Sequence, residues 1–460
     1  MVDSGGHIHF IAIGGSAMHN LAINLKQSGF KVTGSDDEIF EPSRSRLSAQ
    51  SLLPDRMGWH PDRITNMTKA VILGMHARKD NPELLKALQL GLAVYSFPDF
   101  VYEASRNAKR VVIAGSHGKT TITSIIMHVL KNTDKGFDYL VGAGIKGFEN
   151  MVRLSGAPVI VLEGDEYLSS TLDRTPKFIR YNHTIGLISG IAWDHINAFP
   201  TRELYIEQFE KFIDNTPDEG CLVYYRDDEV LHRLIRKKNR RFKLIPYSTP
   251  EYTIVENRYV LKFMESEIPL RLFGKHNMQN IAGAIEVLRL LDLKDMDILT
   301  AIGSFEGASN RLEKIFDENN IRVYKDFAHS PSKLKSTTTA IHELYPDQRI
   351  IACFELHTYS SLNKNFLNEY CNAFQHGNEK IVFVNDHTLQ IKKMPPLSDD
   401  LIKKGFNDRN IQVIRSLSVF EALISRNIRP NSVFLFMSSG NFGGLDYSKL
   451  INSFTRHQLN

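Results

Sequence analysis

Cysteine is scarce. Cys221, Cys353 and Cys371 are the only three in 460 residues, and they stand far apart. That excludes a disulfide framework and a cysteine-based zinc site, and it suits a reducing compartment. Long apolar runs are also missing. No stretch reaches the roughly 18 residues that a membrane-crossing helix needs. The opening "MVDSGGHIHFIAIGG" lacks the basic and apolar regions of a secretory leader. A cytoplasmic protein without membrane insertion is expected. Neither sign of charge dominates, because the formal net charge is +4. Bulk electrostatics therefore gives no case for nucleic acid as a partner, and the basic run "RKKNRR" (236–241) reads as a solvated surface stretch. No short repeat or low-complexity tract is present.

What is present is an alternation of short apolar runs with helical patterns, the signature of α/β layers with largely parallel sheets. The length exceeds one hydrophobic core, so several domains are expected. Three blocks stand out: 1–107, 108–316 and 317–460. The first and last read as Rossmann-like domains, and the central one as a P-loop ATPase-type parallel sheet.

The first block opens with the strand "HIHFIAIGG", a helical segment and a second strand, "FKVTGSD". Gly14, Gly15 and Ser16 form the turn, and Asp36 follows Gly14 by 22 residues. That is about where a dinucleotide-binding unit places a carboxylate on a ribose hydroxyl. The glycine fingerprint is degenerate, with Ser16 and His19 in place of its second and third glycines.

The second block opens with strand "RVVIAG", then "SHGKTT", then a helical run. Strand, loop and helix are the context of a phosphate-binding loop, although Ile113 occupies the place of the usual first glycine. Backbone N–H groups of Gly115, Ser116, His117 and Gly118 and the following helix N-terminus suit phosphates. Lys119 suits the β/γ-phosphates, and the hydroxyl of Thr120 or Thr121 suits Mg²⁺. Further on, "VIVLEGDEY" ends a strand in Glu163, Asp165 and Glu166, placed to hold Mg²⁺. "TIGLISGIAWDH" ends in Asp194 and His195.

Taken together these segments resemble the Mur ligase superfamily, ATP-dependent amide-forming enzymes. The family's compact G-T-H-G-K-T-T loop is matched by residues 115–121, and the absent first glycine belongs to that pattern. "GKHNMQN" (274–280) resembles the family's G-x-H-N-x-x-N, which implies nucleoside contacts from His276, Asn277 and Asn280. "NRLE" (310–313) implies Arg311 at the γ-phosphate. "KDFAHSP" (325–331) implies Asp326 on the ATP side and His329 on the acceptor side. The first block resembles a UDP-N-acetylmuramate domain, which implies donor contacts from Gly14, Gly15, Ser16 and Asp36. The implied catalytic set is Lys119, Glu163, His195 and Arg311, with Thr120, Glu163 and His195 as Mg²⁺ ligands and ATP as the second substrate.

Five stretches (142–154, 163–181, 303–313, 323–331 and 437–445) are similar to the branch that joins UDP-N-acetylmuramate to an L-alanyl-γ-D-glutamyl-meso-diaminopimelate tripeptide, so a tripeptide-adding recycling enzyme is expected. "FELHTYSSLN" (354–363) departs from it. There His357 and Tyr359 resemble the H-x-Y of the L-alanine-adding branch, which is the alternative. A folylpolyglutamate-type ligase is disfavoured by the extra N-terminal domain. A non-catalytic nucleotide-binding protein is disfavoured by the intact set of charged residues. Ala12, Ala17 and Asn20 stand where the family usually has glycine. Phe209 and Glu210 stand where other members carry a modified lysine.

Overall fold

In the computed structural model of the chain, residues 5–75, 77–193 and 198–456 are described. They form two compact units. The first comprises residues 1–191, 203–248 and 283–298, and the second 192–202, 249–282 and 299–460.

The first unit holds two sheets. The smaller contains β1 (His7–Ile11), β2 (Lys31–Ser35), β3 (Thr68–Leu73) and β4 (Ala93–Ser96), in the order β2-β1-β3-β4 and parallel throughout. The near-continuous apolar sequence of β1 follows from burial on both faces. Ile8, Phe10 and Ile11 are fully buried. So is His9, which is not apolar. Its Nε2 lies 3.2 Å from the equally buried Glu83, whose other oxygen accepts from Ser35 Oγ (2.5 Å) and His60 N (2.7 Å). Both oxygens of the acid are thus engaged, as a buried polar group requires.

The larger sheet contains β5 (Lys109–Ala114), β6 (Asp138–Leu140), β7 (Val152–Arg153), β8 (Val159–Glu163), β9 (Ile185–Ile188), β10 (Cys221–Tyr225) and β11 (Lys243–Tyr247). Their order is β11-β10-β9-β5-β8-β6-β7. Only β7 runs antiparallel to its neighbour. The chain leaves β5 towards β6 on one side and passes from β8 to β9 on the other. The loop after β5 therefore opens at a topological switch point, the crevice where α/β sheets bind ligands.

The basic run 236–241 is a solvent-exposed stretch apart from Arg240, and surface acids pair with it. Lys237 pairs with Glu210 (2.9 Å), Lys238 with Asp214 (2.7 Å), and Arg240, whose side chain is buried, also with Asp214.

The second unit holds an antiparallel meander of β12 (Tyr252–Val255), β13 (Arg258–Phe263) and β14 (Ser266–Pro269). It also holds a six-stranded sheet of β15 (Glu313–Glu318), β16 (Ile321–Asp326), β17 (Arg349–Leu356), β18 (Glu379–Val384), β19 (Gln412–Ile414) and β20 (Ser432–Met437). The order is β15-β16-β20-β17-β18-β19, parallel except for the edge strand β15. Phe383, Phe420, Phe434, Phe436, Phe442 and Phe454 fill one face of this sheet. Among the described residues no helix is long and apolar enough to cross a membrane.

Candidate nucleotide and acceptor sites

The loop after β5 is shaped by two glycines. Gly115 has φ +124°, and a side chain there would overlap the Ser189 hydroxyl. Gly118 has φ +78°, a left-handed conformation that costs glycine little. It opens the helix Lys119–Asn132, which no side chain caps. Its first N–H groups are therefore presented to a ligand, with the partial positive charge of a helix N-terminus.

Lys119 turns back over the loop. Its Nζ donates to Gly115 O (2.8 Å) and to both oxygens of Glu166 (2.8 and 2.6 Å). Glu166 is fully buried. Burial alone would lower the Lys119 pKa, but the carboxylates of Glu166, Asp165 and Glu163 outweigh it and hold the pKa raised. The ammonium is therefore charged. Tyr205 OH lies 2.8 Å from Ser116 Oγ and donates to Glu166 (3.3 Å), so it links the loop to the acid. Thr120 Oγ1 donates to Glu163 (2.7 Å), and the opposite oxygen of Glu163 accepts from Gly142 N (2.6 Å). Asp165 is spoken for elsewhere. Burial would raise its pKa, but Lys177 at 2.7 Å and the Tyr167 N–H bring it down to about 2.

The three acids after β8 thus divide their tasks: Glu163 goes to Thr120, Asp165 to Lys177 and Glu166 to Lys119. The sequence places all three beside the loop without dividing them, because a strand end does not reveal which way each side chain turns. Tyr205 has no sequence signal at all, lying 89 residues from Ser116. Thr121 is buried in the first turn of the helix. His195 and Asp194 lie outside the described residues.

The loop after β1 has the same topology with different contents. Gly14 N donates to Asp36 Oδ2 (2.7 Å), and a side chain at Gly14 would press on Asp36 and Ile39. Burial raises the Asp36 pKa against the lowering effect of the Gly14 and Asp37 N–H groups. Gly15 and Ser16 are exposed at the start of the helix Ser16–Gln27, which also lacks a side-chain cap. Ala12 adopts φ +69°, strained for a residue with a Cβ. Asn20 accepts from Met151 N (3.2 Å), and Asn24 from Leu154 N (3.1 Å). Asn20 therefore ties its helix to the β7 segment while its amide donates to Ser16 O (2.8 Å).

In the second unit, His276, Asn277 and Asn280 lie at the start of the helix Lys275–Leu290. Asn277 donates to Phe273 O (2.8 Å) and Asn280 to Asn277 Oδ1 (3.3 Å). Burial lowers the His276 pKa, with the charges of Asp326 and Glu343 opposing. Asp326 accepts from Leu312 N (3.0 Å) and Thr337 Oγ1 (2.6 Å), and the Arg311 guanidinium lies 4.6 Å from the centre of the Phe327 ring. "NRLE" and "KDFAHSP" are thereby brought together. His329 Nδ1 lies 3.0 Å from Phe327 O, and the His329 carbonyl accepts from Tyr370 OH (2.7 Å).

His357 follows β17. Burial and then Lys392 lower its pKa, so it is neutral near pH 7. Tyr359, two residues on, is 45% exposed, open enough to meet a ligand.

Among the described residues no group of three or more His, Cys, Asp or Glu could hold a metal by itself. Thr120 and Glu163 do fit Mg²⁺ chemically, since that ion takes one or two carboxylate or hydroxyl oxygens alongside substrate phosphates.

Comparison with known proteins covers the chain in three segments. Residues 7–109 match the Mur ligase family, catalytic domain; 113–288 the Mur ligase middle domain; and 310–440 the Mur ligase, glutamate ligase domain. A protein from Caldicellulosiruptor bescii named UDP-N-acetylmuramate--L-alanine ligase is 32% identical over 392 residues, covering 81% of this chain and 82% of its own. One of the same name from Carboxydothermus hydrogenoformans is 28% identical over 458 residues, covering 96% of each. Among solved structures, UDP-N-acetylmuramate-alanine ligase from Thermotoga maritima superposes with a TM-score of 0.72 at 22% identity, covering 98% of this chain and 99% of that one. A murein peptide ligase from Psychrobacter arcticus gives 0.68 at 20%, also covering 98% and 99%.

These names correct the tripeptide expectation, since the curated relatives are L-alanine ligases. The physical reason for the error is visible in 163–181, the longest stretch that suggested it. Apart from Glu163 and Glu166, which turn to Thr120 and Lys119, many of its polar groups bond to one another: Asp165 to Lys177, Asp173 to Arg180 and Thr175 N, and Ser169 to Thr175 O. Past Glu166, the likeness there concerns bonds that fold the segment on itself. The chain belongs to the Mur ligase family, whose members are ATP-dependent ligases that form C–N bonds.

Proposed function

We propose that this protein joins L-alanine to the lactyl carboxylate of UDP-N-acetylmuramate at the expense of ATP, as a step of cytoplasmic cell-wall precursor synthesis. The observation that carries the reading is the charged Lys119 in a glycine-bounded loop at a switch point, flanked by Thr120 and Glu163. The curated names of the relatives favour L-alanine as the amine.

A carboxylate and an amine do not condense at useful rates in water, so the carboxylate is first phosphorylated. Phosphoryl transfer is accelerated mainly by positioning and charge neutralisation. Loop N–H groups from Gly115 to Thr121 cradle the phosphates, and Lys119 leaves Glu166 to meet the β/γ oxygens. Arg311 offsets charge at the γ-phosphate. His276, Asn277, Asn280 and Asp326 serve the nucleoside side of ATP. Thr120, Glu163 and His195 would hold Mg²⁺, which when bound supplies further neutralisation of phosphate charge. Gly14, Gly15, Ser16 and Asp36 hold the donor's diphosphate and ribose. On the acceptor side, neutral His357 takes a proton as the amine attacks, with His329 and Tyr359 lining the approach. Phosphate leaves and the amide remains.

The test is phosphate release from ATP with Mg²⁺ and UDP-N-acetylmuramate, with L-alanine, with the tripeptide, or with no amine. Release that requires L-alanine is expected. Release with the tripeptide alone, or with no dependence on amine, overturns the proposal.

A further inference from the structure

β17, β20 and β18 lie side by side and parallel, so their carboxyl ends share one edge of the sheet. From β17 come His357 and Tyr359. From β20 comes the turn Ser438–Ser439–Gly440, which packs tightly on His357: a Cβ at Gly440 would lie 2.6 Å from the ring. Ser439 Oγ lies 3.3 Å from His357 Nδ1. Below them the buried Glu355 accepts from Ser438 Oγ and Phe442 N at one oxygen, and burial raises its pKa. From β18 comes the short helix Asp386–Ile391, which ends at Lys392.

Lys392 differs from two paired cations of the same unit, Arg415 and Lys380. Arg415 pairs with Asp386 and Asp399, and Lys380 pairs with Asp408. Among the described residues the Lys392 ammonium has no ion-pair or hydrogen-bond partner. It rests 4.4 Å from the centre of the Tyr359 ring, held over the aromatic face. Partial burial lowers its pKa, and its charge reaches His357. A half-desolvated cation with no counter-ion favours an incoming anion, and an ammonium donates up to three hydrogen bonds to one. His357 is neutral and Tyr359 uncharged, so Lys392 supplies the cation beside them.

Building on the L-alanine reading above, we infer that Lys392 is the carboxylate anchor of the acceptor site. It binds the α-carboxylate of the amino acid, while the amine stays free to react. Lys392 is then a specificity-determining residue, selecting acceptors that carry a carboxylate next to the attacking amine.

The experiment compares L-alanine with L-alaninamide in the phosphate-release assay, for the wild type, Lys392→Met and Lys392→Arg. The ratio of kcat/KM for the two acceptors is read, and the different intrinsic reactivities of the amines cancel when the ratio is compared between proteins. In K392M the preference for L-alanine should fall by about 10- to 100-fold. The loss should appear in KM for the acceptor and not in KM for ATP. K392R should keep most of the preference. The same wild-type protein should be inhibited by propionate competitively against L-alanine, a readout that does not depend on any variant folding. An unchanged preference in K392M, or propionate that fails to compete, overturns the anchor and leaves the proposed function standing. A wild type that releases no phosphate with L-alanine overturns the proposed function itself.

Discussion

The first unit contains the same device twice, a parallel strand, a glycine turn and an uncapped helix at a switch point, and the two copies have been finished differently. After β5 the turn uses glycine at both left-handed positions and carries a cation, with an acid from the neighbouring strand to hold it. After β1 the turn bears no charge of its own and accepts a left-handed alanine. Its carboxylate comes from the next strand and binds the loop's own Gly14 N–H. Topology places an uncapped helix end in both; under the proposed function the side chains decide whether that end does chemistry or only holds an anion.

The sharpest way to break this contrast is to remove the cation. Lys119→Ala should reduce phosphate release by about 1,000-fold or more, since the charge acts on the transferring group. Turnover near the wild-type rate would make the two loops equivalent holders.

The sheets beneath the loops differ in their buried histidines. His9 has Glu83 beside it. Among the described residues His183 has only Thr216 Oγ1 at 2.8 Å and the face of Phe212, and burial followed by the charge of Arg110 brings its pKa down to about 3. The fold holds it neutral, so its contribution is complete above pH 6.5, the unfolded value, and is lost as pH falls towards 3. Between pH 6.5 and about 5 the loss is about 2 kcal/mol. Denaturant unfolding of wild type and His183→Gln across that range checks it, and the gap between them should narrow as pH falls.

A smaller effect is expected at Asp36. Asp36→Ala should raise KM for UDP-N-acetylmuramate about tenfold, or about 1.4 kcal/mol, while KM for ATP stays put. A change in KM for ATP would blur the division of labour between the loops. The smallest effect is Ala12→Gly. Relief of the left-handed backbone is worth about 1–2 kcal/mol, and the extra freedom of the unfolded glycine offsets part of it. A net gain of about 1 kcal/mol in unfolding free energy is expected, and a net loss would show that the Ala12 methyl is needed against Gly74.

The two loops also differ in how far the sequence reveals them. The run 113–121 spells strand, turn, cation and helix in nine consecutive positions, so its structure was legible without any partner. The loop after β1 was harder to read because Ala12, Ala17 and Asn20 blur its pattern. The structure supplies the reason at Asn20, which answers to Met151, a residue that no local pattern connects to it. The parallel order of the major sheets followed from the alternation of strands and helices. The meander β12–β14 and the antiparallel edge strand β15 did not, because nothing in a short half-exposed strand states its direction. The acceptor was misread for a related reason. Five matching stretches outweighed one, although 354–363 leaves β17 at the edge that the proposal gives to the acceptor, and Lys392 there sits in "IKKMPP" with no motif to announce it.

The grip of Glu166 on Lys119 has one more consequence under the proposed function. A bare ammonium at the loop would hold any phosphate that drifted in, including the one just made. Here the acid competes for the same ammonium, so arrival of ATP and departure of phosphate are both exchanges of partner. Glu166 then works as a return spring: it weakens the hold on the spent product and resets the loop for the next nucleotide.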